Sequence, residues 1–293
     1  MATLSQWIGG ARPRTLPTAF APVFIGTAAA YAAGSADLLA AFLALGVALA
    51  LQVAVNYAND YSDGVRGTDD VGRRVGPVRL VGQRLAAPGQ VKRAASAAFG
   101  VAAVLGLGLT WRSGAWYMLA VGAACILAAW YYTGGDHPYG YLGLGEVFVF
   151  VFFGLVATLG TILTQAHTTT LTAWAGAVGV GALSCAVLVA NNLRDIPGDT
   201  LAGKRTLAVR LGDGRTRTLY VVLVALAFGC ALLAAADSPG AVAALAAGAL
   251  ALAPLRRVRS GATGADLVPV LAGTGMLVLG YGILFSLGVA LLP

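Results

Sequence analysis

The chain has 293 residues, 58% of them hydrophobic and only 11% charged, with a mean hydropathy of +0.80, whereas a soluble domain carries about 25% charged residues. That balance excludes a water-soluble globular protein, and the length leaves room for about nine apolar helices of roughly 20 residues, too many for a signal peptide or a single anchor. The net charge of +7 has to be located along the chain before it is given a partner.

In chain order, turn and charge signals set off apolar spans at 17–33, 38–58, 94–111, 115–133, 142–165, 172–192, 218–236, 240–255 and 267–290. Backbone groups in lipid must be satisfied within their own segment, so the spans are predicted to be helices, and the period-2 alternation of a membrane barrel is absent. The expected fold is an all-α polytopic membrane protein, one domain over 1–293 with about nine helices around a central cavity. A parallel pseudo-repeat, roughly 17–133 and 142–255 followed by a ninth helix, is a plausible origin. Cys125, Cys185 and Cys230 fall inside apolar runs and read as small packing residues with no disulfide framework.

With the N-terminus in the cytoplasm, eighteen of the 19 basic residues share one face and only Arg112 lies opposite. The positive-inside rule then orients the chain, as a multi-pass protein of the cell membrane with its N-terminus and long loops cytoplasmic. The charge is thereby a topology signal that needs no nucleic-acid partner. It does not account for the acids. Asp60, Asp63, Asp69 and Asp70 lie in one long loop region and Asp195, Asp199 and Asp213 in another, seven of the 12 acids in all.

Asn56, Asp60 and Asp63 are spaced i, i+4, i+7, so a helix that continues to its end carries them on one face. Asn191, Asp195 and Asp199 repeat the idea at i, i+4, i+8, with Asn192 beside them. Both clusters end even-numbered spans, so both reach the same membrane face. Carboxylates at helix C-termini are unfavourable unless something cationic offsets them. A divalent cation would do so, and an all-oxygen set of Asp and Asn suits Mg²⁺ shared with substrate phosphates, whereas zinc would want His or Cys. Arg66, Arg79, Lys204 and Arg205 are the candidates for phosphate oxygens. Asp37, Asp237, Asp213, Asp266 and His137 read as ordinary turn or loop residues.

A metal-bound diphosphate at the mouth of an apolar cavity points to a substrate with an anionic head and a lipid tail. A polyprenyl diphosphate fits: metal makes the diphosphate a better leaving group, and the allylic cation left behind needs a dry, electron-rich pocket and an acceptor carbon close by. Tyr131, Tyr132, Tyr139 and Tyr141 around the fourth-to-fifth loop are candidates for that pocket through their ring faces. Glu146, an acid just inside a span, is a functional candidate by position.

The segments ARPRTLP at 11–17, NDYSDGVRGTD at 59–69, GPVRLV at 76–81, GLGEVFVFVFFG at 143–154 and RDIPGDTLAGKRTLAVRLG at 194–212 resemble, in order, the UbiA superfamily of intramembrane aromatic prenyltransferases, most of all its 1,4-dihydroxy-2-naphthoate polyprenyltransferases of menaquinone synthesis. The resemblance covers nearly the whole chain. It implies a nine-span helical fold, Mg²⁺ dependence, and transfer of a prenyl chain to dihydroxynaphthoate with loss of CO₂, giving demethylmenaquinone. It further implies that Asn56, Asp60 and Asp63 form the first metal-diphosphate motif, Asp195 and Asp199 the second, and Lys204 a phosphate-binding lysine. The superfamily often writes the first motif Asn-Asp-x-x-Asp-x-x-x-Asp; here its last position is Gly67 and the next acid is Asp69, two residues later, so the resemblance leaves open whether Asp69 or Asp70 touches metal. The acceptor rests on resemblance, and another aromatic acceptor stays open.

Two other readings remain. DYSDGVR is similar to the opening of the CDP-alcohol phosphotransferase pattern, but Gly67 and Thr68 stand where Ala-Arg should follow. An anion transporter would place its site near the midplane among broken helices, whereas these carboxylates lie at one mouth beside basic loops. Neither donor chain length nor oligomeric state is readable.

Overall fold

The computed structural model describes residues 2–67 and 78–292, so Asp69, Asp70, Arg73 and Arg74 lie outside the described residues. Regular structure among the described residues is all helical: α1 Leu4–Gly10, α2 Pro17–Ala32, α3 Leu38–Val65, α4 Pro88–Ser113, α5 Met118–Tyr131, α6 Gly145–Ala166, α7 Leu171–Leu201, α8 Leu207–Ala234, α9 Pro239–Arg259 and α10 Gly264–Leu291. Seven of them are long and apolar enough to cross a membrane, and an eighth span is formed if Leu4–Thr15 and α2, bent by 49° at their junction, count as one. The protein is therefore a multi-pass membrane protein. Helices α2 to α10 correspond one for one to the nine predicted spans, although α5, at 14 residues, rises only about 21 Å.

The overruns of α3 and α7 beyond their predicted C-terminal ends matter most for the site. α3 stays helical to Val65 and α7 to Leu201, so the acidic clusters ride on final turns rather than in loops. Such turns are tenable because Asp63 and Asp195 meet cations of the same chain, described below, and Asp60 meets backbone N–H groups, which offset the negative helix end.

One half of the bundle is packed solid. Helix α7 lies at its centre, with α2, α8 and α10 against it and Tyr220, Leu277, Tyr281 and Phe285 fully buried between them. Buried hydroxyls find partners, as the cost of an orphan polar group demands: Tyr281 donates to the Ala227 carbonyl at 2.9 Å, and Tyr220 lies 2.7 Å from Thr274 Oγ1. Close helix approach relies on glycine. A Cβ on Gly26 of α2 would fall 2.5 Å from the Thr158 carbonyl oxygen, and one on Gly154 of α6 would fall 2.6 Å from Gly181 Cα of α7.

The other half is hollow. Helices α2 to α7 all contribute to the lining of a cavity of about 910 Å³. The π-helical stretch Phe150–Val156 inside α6 turns the adjacent Phe152 and Phe153 both into its lining; such bulges recur at functional sites. Away from the mouth, the acids read as turn residues keep to that role. Asp37 caps α3 by accepting from Leu39 and Ala40 N–H at 3.0 and 3.2 Å and pairs with Arg112 at 3.0 Å, while Asp237 accepts from Thr172 Oγ1 at 2.6 Å.

Candidate active site

The polar mouth is built where the last turns of α3 and α7 converge. Lys204, in the turn after α7, donates its backbone N–H to the Asp199 carbonyl at 2.8 Å and its Nζ to Asp63 Oδ1 at 3.3 Å, across 141 residues of sequence. Tyr141 closes the same knot. Its hydroxyl donates to Asp63, its carbonyl accepts from Arg205 N–H at 3.0 Å, and Lys204 Nζ stands 4.5 Å from its ring centre. Arg79 approaches the other Asp63 oxygen at 3.5 Å. All three charged groups are buried, a state tolerable only when opposite charges meet.

On α7, Arg194 grips its neighbour Asp195 with two nitrogens, Nε to Oδ1 and Nη2 to Oδ2, both at 2.8 Å, and also donates to Asn191 Oδ1 at 2.8 Å. Asn191, Asn192, Asp195 and Asp199 all line the cavity. One carboxylate of each motif, Asp63 and Asp195, is thus matched by cations of the same chain.

The first cluster does not sit as the spacing predicts. Asn56, Asn59 and Asp63 line the cavity, whereas Asp60 does not. Its two oxygens accept from the Leu80 and Val81 N–H groups at 2.7 and 3.0 Å, fixing the segment that carries Arg79. The reason is rotational: at about 100° per residue, Asp60 is turned about 60° from Asp63 and about 100° from Asn59. The pair facing the cavity at i, i+4 is therefore Asn59 and Asp63, which mirrors Asp195 and Asp199. Asn56 instead donates to the Ala11 carbonyl at 2.9 Å and to Thr15 Oγ1 at 3.2 Å, holding the turn in which Arg12, itself in the cavity wall, adopts a left-handed backbone at φ 55°.

The remaining candidates divide. Tyr139 lines the cavity and stacks on Phe148 with ring centres 3.9 Å apart; Tyr132 meets it edge-on at 5.5 Å, and Phe152 continues the aromatic wall. Tyr139 spends its hydroxyl on the Ala128 carbonyl at 2.8 Å and so offers its ring. Burial pushes both phenols above their ordinary range. Tyr131, 51% exposed, lies outside the lining, as does the exposed Arg205. Arg66 is also outside it, donating to the Thr133 and Gly135 carbonyls and thereby bracing the α5–α6 connection. Glu146 is buried behind the wall; one oxygen accepts from Asn192 Nδ2 at 2.9 Å and the other has no partner.

Sequence reasoning missed Asn59, Arg12, Arg194 and Gln52. Gln52 was visible as the sole polar break in the run from Leu38 to Val55. Its Nε2 donates to Thr15 Oγ1 at 2.6 Å, while its Oε1 and the Ser184 hydroxyl on the opposite wall are buried without partners. Both residues line the cavity beneath the charged mouth.

Among the described residues no three Asp, Glu, His or Cys side chains gather closely enough to hold a metal by themselves. The donor set is nonetheless oxygen only, with one carboxylate and an amide on α3 and two carboxylates on α7. That fits Mg²⁺, which binds through one or two carboxylates plus substrate phosphates rather than in an all-protein cage.

The model of the UbiA prenyltransferase family matches residues 19–268. The 1,4-dihydroxy-2-naphthoate octaprenyltransferase of Mycobacterium tuberculosis is 56% identical over 279 residues, covering 95% of this chain and 94% of that one, and the enzyme of the same name from Escherichia coli is 41% identical over 225 residues, covering 74% and 72%. Among solved structures, a UbiA homolog from Aeropyrum pernix K1 superposes with a TM-score of 0.70 at 14% identity over 99% of both chains. A UbiA homolog from Archaeoglobus fulgidus bound to GPP and Mg²⁺ superposes with a TM-score of 0.65 at 12% identity, covering 96% of this chain and 99% of that one.

Proposed function

The chain belongs to the UbiA prenyltransferase family, and on that premise we propose that it transfers a polyprenyl chain from polyprenyl diphosphate to 1,4-dihydroxy-2-naphthoate, giving demethylmenaquinol, the reduced form of demethylmenaquinone. The allylic C–O bond breaks with departure of diphosphate, a bond forms between the allylic carbon and the naphthalene ring, and the ring carboxylate leaves as CO₂. The observation that carries this reading is the single knot at which Lys204 joins Asp63 to the Asp199 turn, at the mouth of an aromatic, otherwise apolar cavity.

Magnesium bound with the diphosphate by Asn59, Asp63, Asp195 and Asp199 would neutralise the leaving group. Lys204 and Arg79 exchange their bonds to Asp63 for phosphate oxygens, a charge-assisted contact in a dry site. Arg194 holds Asp195 in its rotamer, and Asp60 fixes the segment bearing Arg79. The faces of Tyr139 and Phe148 stabilise positive charge developing on the allylic carbon and exclude water from it. Gln52 Oε1 and the Ser184 hydroxyl supply polar partners for the oxygens of a dihydroxy-aromatic acceptor. Glu146 acts through Asn192 as a positioning residue. The concentration of basic residues at the mouth supports a cytoplasmic mouth in the cell membrane.

The test is product mass spectrometry on membranes containing the protein, Mg²⁺ and octaprenyl diphosphate with a panel of aromatic acids. Demethylmenaquinol, read after air oxidation as demethylmenaquinone, and CO₂ are expected from dihydroxynaphthoate, with EDTA stopping both. Product from a benzoate and none from the naphthoate would overturn the acceptor assignment.

A further inference from the structure

The cavity is far deeper than a diphosphate and one aromatic ring require. On α3 its lining runs from Asp63 to Ala44, about 28 Å at 1.5 Å per residue. Its far end is walled by Gly106 and Thr110 of α4, Met118 of α5, and Gly160 and Thr164 of α6. An eight-unit prenyl chain has about as many main-chain carbons as two lipid acyl chains end to end, hence a length near the hydrocarbon thickness of about 30 Å. The two lengths match, whereas a two-unit chain reaches only a quarter of the way.

Helix α5 is built as a wall for such a channel. Met118, Val121, Gly122, Cys125, Ala128 and Ala129 line the cavity, an i, i+3, i+4 pattern on one face, and α5 has no buried residue at all. Two glycines of this half differ from Gly26 and Gly154, where helices touch. A Cβ on Gly122 would meet nothing within 4 Å, and one on Gly160 would meet only Met118 Cε, at an ordinary 3.9 Å. Neither packing nor a positive φ asks for glycine there, although each costs a helix about 1 kcal/mol relative to alanine. What glycine preserves at these positions is lumen.

We propose that Met118 and Gly160 form the constriction of the prenyl channel and set the longest donor chain the protein accepts. Gly160 lies twelve residues beyond Phe148 along α6, about 18 Å deeper in the cavity, past the reach of two- and three-unit chains. A bulky side chain at either position blocks the distal units of a long donor and leaves a short one untouched. The inference rests on the transfer reading above.

The experiment compares initial rates with geranyl and octaprenyl diphosphate, each with dihydroxynaphthoate, for the wild-type protein, Gly160→Phe and Met118→Trp. The ratio of octaprenyl to geranyl rate should fall at least about tenfold in both variants; a factor of ten is about 1.4 kcal/mol of differential transition-state binding. The geranyl rate in the same preparation reports that the variants are folded. An unchanged ratio in either variant, whether its two rates hold or fall together, overturns the constriction. A wild-type protein that transfers neither chain defeats the transfer reading beneath it.

Discussion

Replacing Asp63 with asparagine tests the mouth most directly. The substitution keeps the size of the side chain and an oxygen for the Tyr141 hydroxyl, but removes the negative charge between Lys204 at 3.3 Å and Arg79 at 3.5 Å. Both cations are buried, at 6% and 7% exposure. Deleting one partner of a buried ion pair costs about 3–5 kcal/mol, because the other charge is left uncompensated. The ligand-free variant should therefore unfold several kelvin below wild type in lipid nanodiscs. It should also regain more stability than wild type from inorganic pyrophosphate added without magnesium, since the anion replaces the missing carboxylate; ligand at 100 times its Kd contributes about 2.7 kcal/mol. Prenyl transfer should drop at least about 100-fold, equivalent to about 2.7 kcal/mol. A variant as stable as wild type, with transfer within about twofold of it, would refute the assignment of Asp63 as the hub of the mouth.

Three further outcomes follow from the same geometry. Lys204→Met should raise KM for the diphosphate donor at least about fivefold more than KM for the acceptor, since a charge-assisted bond is worth about 1.5–3 kcal/mol; steady-state kinetics showing equal shifts would remove its phosphate role. Glu146→Gln preserves the acceptor for Asn192 and should keep transfer within about threefold, while Glu146→Leu should lose more than about tenfold, the cost of an unmade buried hydrogen bond; equal losses would mean that the charge itself is used. Gly26→Ala, whose Cβ would lie 2.5 Å from a backbone oxygen, should lower thermal stability by about 1–3 kcal/mol, whereas Gly122→Ala, whose Cβ meets open space, should raise it by up to about 1 kcal/mol.

Helix number and order were legible because hydropathy alone sets them, and the nine spans drawn from charge and turn signals correspond to α2 through α10. The site was legible as a pair of helix ends but not as a set of side chains. Spacing places Asn56, Asp60 and Asp63 within one broad face, yet which part of that face looks into the cavity depends on the segment 78–81 packing against α3. That tertiary contact takes both Asp60 oxygens and brings Asn59 into the lining instead. Tyr131 and Tyr132 are adjacent in sequence and face opposite ways, a distinction that follows only from the exit angle of α5. Gln52 needed no structure to be noticed; its meaning required Thr15, 37 residues away.

The slenderness of α5 decides how a greasy product leaves. A single helix walls the reaction chamber on this side, and its outward side chains, Leu119 and Leu127 among them, are exposed. A quinone precursor carrying a long isoprenoid has no cause to visit water on departure. The shortest way out for such a lipid runs past that one partition, which makes the fluidity and thickness of the host bilayer parameters of turnover.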